Sequence, residues 1–118
     1  MKKYAKTHEW VETLENKEVL IGLTDYAQKE LGDIVFISLP EVGQALTIGA
    51  AFAEVESVKA VSEIYAPVNG VISAINDVLL DYPEKINQDA KNIWLVKVGE
   101  VSEYTELLDE EDYLALVG

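Results

Sequence analysis

Short apolar runs, each cut off by glycine, proline or a polar turn after five or six residues, fill most of this chain and leave little room for a long helix. Runs of that length suit strands, which cross a sheet in about 5–6 residues. The pattern predicts strands over Glu9 to Leu14, Val19 to Leu23, Ile34 to Leu39, Ala51 to Val55, Val61 to Tyr65, Val71 to Ile75 and Ile93 to Val98. So many short strands in 118 residues point to a mostly β sandwich or barrel. A chain of this length is expected to form one domain, residues 1–118, with a radius of gyration of roughly 13 Å.

One internal short helix is predicted to interrupt the strands. Thr24 is placed to cap it, Asp25 sits in the first turn where the helix dipole favours an acid, and Gly32 ends it after Leu31. Ala27 and Leu31 share its apolar face. The tail predicts two further short helices, capped by Ser102 and Asp109. The first carries Tyr104, Leu107 and Leu108; the second carries Tyr113, Leu114, Leu116 and Val117, and both are expected against a sheet edge. Pro40-Glu41-Val42-Gly43 and Pro67-Val68-Asn69-Gly70 read as two turns of similar make-up, flanking halves that meet near Ser57 to Ala60. That weak repeat is consistent with a pseudo-twofold sandwich.

Charge and composition remove whole classes of function. Twenty-two acidic residues against nine lysines and no arginine give a net charge of −13, which repels phosphate backbones, so nucleic acid is not an expected partner. No apolar run approaches the ~20 residues of a membrane span, so no membrane partner is expected either. The absence of cysteine excludes disulfides, thiolate metal sites and a cysteine nucleophile. None of the common nucleophile, phosphate-loop, zinc or calcium motifs occurs, so neither catalytic nor metal-binding residues are assigned and the chain is not expected to be an enzyme. His8, the lone histidine, reads as a packed or capped structural residue rather than a base. The lysines at the N-terminus run into His8-Glu9-Trp10 without the apolar stretch of a secretory signal, and a cytoplasmic, unprocessed chain is expected. After Lys97 there are seven acids and no base; they suit a solvated face or a docking surface for a basic partner.

The segment Ala53-Glu54-Val55-Glu56-Ser57-Val58-Lys59-Ala60-Val61-Ser62-Glu63 places one lysine in the middle of a hairpin. If Val55 and Val61 belong to adjacent antiparallel strands, the turn projects Lys59 away from the sheet. Most exposed lysines have no special role, and spacing alone does not give Lys59 one.

The order of several segments supplies more. HEW at His8 to Trp10, GLTDYAQKELGDIVFISLPEVG at Gly22 to Gly43, VESVKA at Val55 to Ala60, APVNG at Ala66 to Gly70 and DEEDYLAL at Asp109 to Leu116 together make the chain resemble, nearly end to end, the glycine cleavage system H proteins, a family of lipoyl carrier proteins. Gly43 and Gly70, sixteen before and eleven after Lys59, also resemble the paired glycines of lipoyl domains, although any two hairpins need turn glycines.

The resemblance implies a barrel-sandwich hybrid, lipoyl-domain-like, with Lys59 amidated by lipoic acid. It implies a carrier that takes the aminomethyl group of glycine from a pyridoxal-phosphate-dependent glycine decarboxylase (P protein) to a tetrahydrofolate-dependent aminomethyltransferase (T protein). Dihydrolipoyl dehydrogenase (L protein) then reoxidises the dithiol. A lipoate ligase or lipoyltransferase is a further implied partner, and Glu56, three before the lysine, stands where the family has an acid linked to lipoylation. Thr7, Glu9 and Glu63 match positions of a cleft that shelters the loaded arm, where a carboxylate near an ammonium makes a charge-assisted hydrogen bond. Glu63 replaces a frequent aspartate, Ala53 replaces a usual glycine, and the Asn87 to Ile93 loop is shorter than the family's and lacks its glycines. A monomer is expected. Two alternatives stay open: a relay that hands lipoyl groups to the acyltransferase subunits of oxo-acid dehydrogenases, and an unmodified acidic interaction module.

Overall fold

The protein is described over residues 1–118 by a computed structural model. In chain order it consists of β1 (Lys2–Ala5), β2 (Glu9–Thr13), β3 (Val19–Leu23), α1 (Asp25–Leu31), β4 (Ile34–Ser38), β5 (Ala45–Leu46), β6 (Ala51–Ser57) and β7 (Val61–Tyr65). There follow β8 (Val68–Ile75), α2 (Val78–Asp81), α3 (Lys85–Asp89), β9 (Val96–Tyr104), β10 (Leu107–Leu108) and α4 (Glu110–Val117). Seven strands form one sheet in the order β10-β1-β2-β3-β9-β8-β5, and β4-β6-β7 form a second. Every pairing is antiparallel. The Cα radius of gyration is 13.1 Å, close to that expected from chain length.

The strands exist because alternate residues have a core to enter. Val19 and Ile21 of β3, Val55 of β6, Ile64 of β7 and Val96 and Val98 of β9 belong to one buried cluster of 21 residues, to which Leu79 of α2 and Ile86 of α3 also contribute. Burial of each such side chain contributes roughly 1.5–3 kcal/mol. Trp10 is buried too, and its indole lies so close to β3 that a Cβ at Gly22 would sit 2.3 Å from Cζ2. Only glycine allows that approach. The indole N–H donates to the Ala90 carbonyl at 2.9 Å, joining β2 to the end of α3.

The internal helix forms as its caps predict. The Thr24 hydroxyl accepts from the Ala27 N–H at 3.1 Å, and Gly32 takes φ +80° while its N–H bonds back to Gln28. Ala27 and Leu31 rest against the core, partly buried.

The tail corrects one expectation and the start of β8 another. No helix follows Ser102; β9 continues to Tyr104, paired with Val68 of β8, and Leu107 and Leu108 extend the sheet beside β1. A serine cap is worth about 1 kcal/mol, less than the strand pairing available here, so the sheet wins. Asp109 does cap a helix, its carboxylate accepting from the Asp112 N–H at 3.0 Å. Pro67 to Gly70 is likewise not a turn, since β8 starts at Val68 and Gly70 pairs with Leu46. Gly70 is needed there for closeness, a Cβ falling 2.6 Å from Val98 Cγ1. The two proline-glycine segments are therefore locally unlike, one a turn and the other the entry to a strand.

Candidate functional site

The hairpin between β6 and β7 presents Lys59 at its tip. Glu56 pairs with Val61 and Val55 with Ser62, leaving Val58, Lys59 and Ala60 beyond the ladder. Ser57, buried just before the turn, holds it from inside. Its N–H donates to the Ala60 carbonyl at 2.8 Å, and its hydroxyl accepts from the N–H groups of Lys59 (3.3 Å) and Ala60 (3.1 Å). The Val58 N–H donates to Asp33 at 3.0 Å, tying the tip to the segment between α1 and β4. Lys59 is exposed and forms no ion pair. Its Cε lies 3.6 Å from where a Cβ of Gly32 would be, so the stem passes over the bare end of α1.

Beside that hairpin opens a cleft of about 150 Å³ bounded by the start of β2, by α1 and by β7. Thr7, Glu9 and Glu63, separate in sequence, all line it, with Leu23, Leu31 and Ile64 as apolar wall. Glu9 is only 1% exposed. Burial pushes its carboxyl up to about 7, against the opposing pull of hydrogen bonds from the Thr7 hydroxyl and the Tyr65 backbone. The Thr7 hydroxyl donates to Oε1 at 2.6 Å, and no cation pairs with the group. A buried carboxyl with no cation beside it keeps acceptor capacity that an entering ammonium can use. Glu63 stays exposed on the edge strand β7. Glu56 does not line the cleft; it is exposed in the same row as Phe36 and Val61 across the smaller sheet.

His8 is half-buried, as its reading as a packed residue anticipates. Its Nδ1 lies 2.8 Å from the Tyr113 hydroxyl, and desolvation lowers its pKa although nearby Glu30 opposes that. The same hydroxyl lies 2.8 Å from Thr24 Oγ1. This bridge from α4 to the residue before Glu9 is absent from the sequence reading; its one signal is a lone tyrosine in the tail helix, Tyr113. A larger hollow of about 360 Å³, between β1, α1 and α4, lies behind the bridge with Trp10 and Tyr113 in its wall. Glu9 lines the smaller cleft and not this hollow, and Lys59 lines neither, standing at the tip of the hairpin whose strand β7 bounds the smaller cleft.

Comparison with known proteins gives one consistent result. The family model described as glycine cleavage H-protein matches residues 2–118. The chain is 51% identical over 110 residues to the glycine cleavage system H protein of Lachnoclostridium phytofermentans, covering 93% of this chain and 87% of that one. It is 47% identical over 117 residues to that of Acidobacterium capsulatum, covering 98% and 90%. Among solved structures, a glycine cleavage system H protein from Mycobacterium marinum superposes with a TM-score of 0.91 at 35% identity, covering 98% of this chain and 94% of that one.

Proposed function

The chain belongs to the glycine cleavage H-protein family, and from that premise we propose that Lys59 carries lipoic acid as an amide and that the Thr7, Glu9 and Glu63 cleft receives the loaded end of the arm. The protein is a lipoyl carrier of glycine cleavage. When bound, the lipoyl group supplies a pair of sulfur atoms able to take up the aminomethyl group of glycine. The chain's own part is presentation and shelter, which accounts for a protein without a nucleophile or a metal-binding motif.

The residues fit such an arm. Lys59 stands free at a turn held by Ser57, accessible to a lipoate ligase or lipoyltransferase, with Glu56 exposed on the same hairpin as a recognition contact. The carrying observation is Glu9, a buried acid without a cation, facing a cleft with apolar walls. Its carboxylate accepts hydrogen bonds from an entering ammonium, Thr7 orients it, and Leu23, Leu31 and Ile64 keep water away. A cation there draws the Glu9 proton off, so binding and ionisation support each other. A lysine-lipoyl chain extends roughly 14 Å, enough to leave this cleft for the active sites of glycine decarboxylase, aminomethyltransferase and dihydrolipoyl dehydrogenase in turn.

Reconstitution tests the reading. Lipoylated protein is expected to support glycine-dependent exchange of carbon dioxide by glycine decarboxylase, and Lys59→Ala to abolish it. Transfer of lipoyl to acyltransferase subunits with no glycine decarboxylation would instead make the protein a relay.

A further inference from the structure

The corner that carries Glu9 is held from the far end of the chain. Between β1 and β2 the backbone turns through Lys6, Thr7 and His8, closed by a bond from the His8 N–H to the Ala5 carbonyl at 2.9 Å. His8 adopts φ +76°, in the left-handed region that a residue with a side chain enters only when its surroundings hold it there. The two residues flanking it are Thr7 and Glu9, the hydrogen-bonded pair of the cleft, so the backbone at His8 sets where that pair sits.

Three contacts hold His8. The Thr24 N–H donates to its carbonyl at 3.1 Å, the Tyr113 hydroxyl lies 2.8 Å from Nδ1, and its ring packs against those of Tyr26 and Tyr113 at 4.9 and 5.8 Å. Tyr113 is itself well anchored. It is the one buried residue of α4, it stacks on Tyr4 of β1 at 5.0 Å, and its hydroxyl meets Thr24 Oγ1 as well as His8. The Thr24 oxygen also caps α1, which forms one wall of the cleft. A single hydroxyl on the last helix thus fastens the corner behind Glu9 and the helix opposite it.

We propose that Tyr113 is a positioning residue for the arm cleft, and that α4 latches the Thr7-His8-Glu9 corner through the Tyr113 hydroxyl so that the Glu9 carboxyl stays buried and aimed into the cleft. The inference rests on the reading of that cleft as the arm's shelter. Lifting α4 from the sheet releases His8, and with it Glu9, and also frees the Thr24 hydroxyl that caps the α1 wall of the cleft. The other titratable groups that line the cleft are Glu30 on α1 and Glu63 on β7.

Tyr113→Phe tests the latch, since it keeps the ring stack and removes only the hydroxyl. Tyr4→Phe, which loses a 3.3 Å bond to Glu110 instead, is the control. The first readout needs no arm: carbon-13 NMR titration of the Glu9 carboxyl in unmodified protein. Tyr113→Phe is expected to bring its pKa down by about one unit as the corner opens to water, with His8→Ala doing the same and Tyr4→Phe leaving it in place. The second readout is the lifetime of the aminomethyl cargo on lipoylated protein without aminomethyltransferase, expected to shorten about tenfold in Tyr113→Phe. An unmoved Glu9 titration in Tyr113→Phe would overturn the latch. A cargo lifetime indifferent to Glu9→Gln would overturn the reading of the cleft, and the NMR titration would still decide the latch.

Discussion

Glu9 binds its proton more tightly in the folded protein than in the unfolded chain, and that difference has a sign. Its carboxyl is raised from an ordinary value of 4.5 to about 7 by burial. Below pH 4.5 the group is neutral in both states and costs nothing. As pH rises towards 7 the unfolded chain ionises first, so folded stability is lost across that window, by about 3 kcal/mol for the full shift. Glu9→Gln, neutral at every pH, is expected to gain about 3 kcal/mol on the natural protein between pH 4.5 and 8, measured by urea denaturation of both. Parallel pH profiles would refute the assignment. The sequence offers Glu9 as an acid between His8 and Trp10 but not its burial, which arises because β2 pairs with β3, Glu9 lying opposite Leu23. Likewise Thr7, Glu9 and Glu63 share a cleft only once β7 is folded against the start of β2, a juxtaposition that no local spacing encodes.

Elements show the same division between local and distant causes. The hairpin around Lys59 is legible because alternation and the turn lie within eleven residues, Ala53 to Glu63. Its stiffness comes from Ser57, whose hydroxyl spans the turn. Ser57→Ala is expected to lower global stability by about 1 kcal/mol and to slow attachment of lipoate several-fold, read as initial rate by mass spectrometry. A rate equal to the natural protein's would show that the turn needs no such brace. β1 and β10 are not legible because Lys2–Ala5, lying between β10 and β2, buries only Ala5 and shows no apolar alternation, and the two residues of β10 at the sheet edge carry no pattern at all. α2 and α3 were missed because each buries one core residue, Leu79 or Ile86, too few for a helical period. Asn87 fixes α3 in place, its side chain accepting from the Ile34 N–H at 2.8 Å and donating to the Gly32 carbonyl at 2.9 Å. Such a brace reads in the sequence only as a polar residue in a loop.

At the scale of the molecule, charge and reach decide how the carrier meets its partners. Part of the acidic tail is committed to the fold: Asp109 caps α4, Glu106 pairs with Lys6 at 2.9 Å and Glu110 accepts from Tyr4. Glu100, Glu103, Glu111 and Asp112 remain exposed within a net charge of −13. A field of that sign steers the protein towards basic surfaces and is screened beyond about 8 Å at physiological salt. Association with glycine decarboxylase, followed by stopped flow, is expected to slow about tenfold between low and physiological salt. A rate indifferent to salt would place the recognition in apolar contacts such as exposed Phe36 and Val61. With a radius of gyration of 13.1 Å and an arm of roughly 14 Å, the cargo can travel as far as the domain is deep. All of this depends on Lys59 bearing the arm. Intact-mass and peptide-mapping analysis after treatment with lipoate ligase tests that most directly. One lipoyl increment on the Lys59 peptide, lost in Lys59→Ala, is the predicted result. A bare Lys59 while a known lipoyl domain in the same reaction is modified would contradict it.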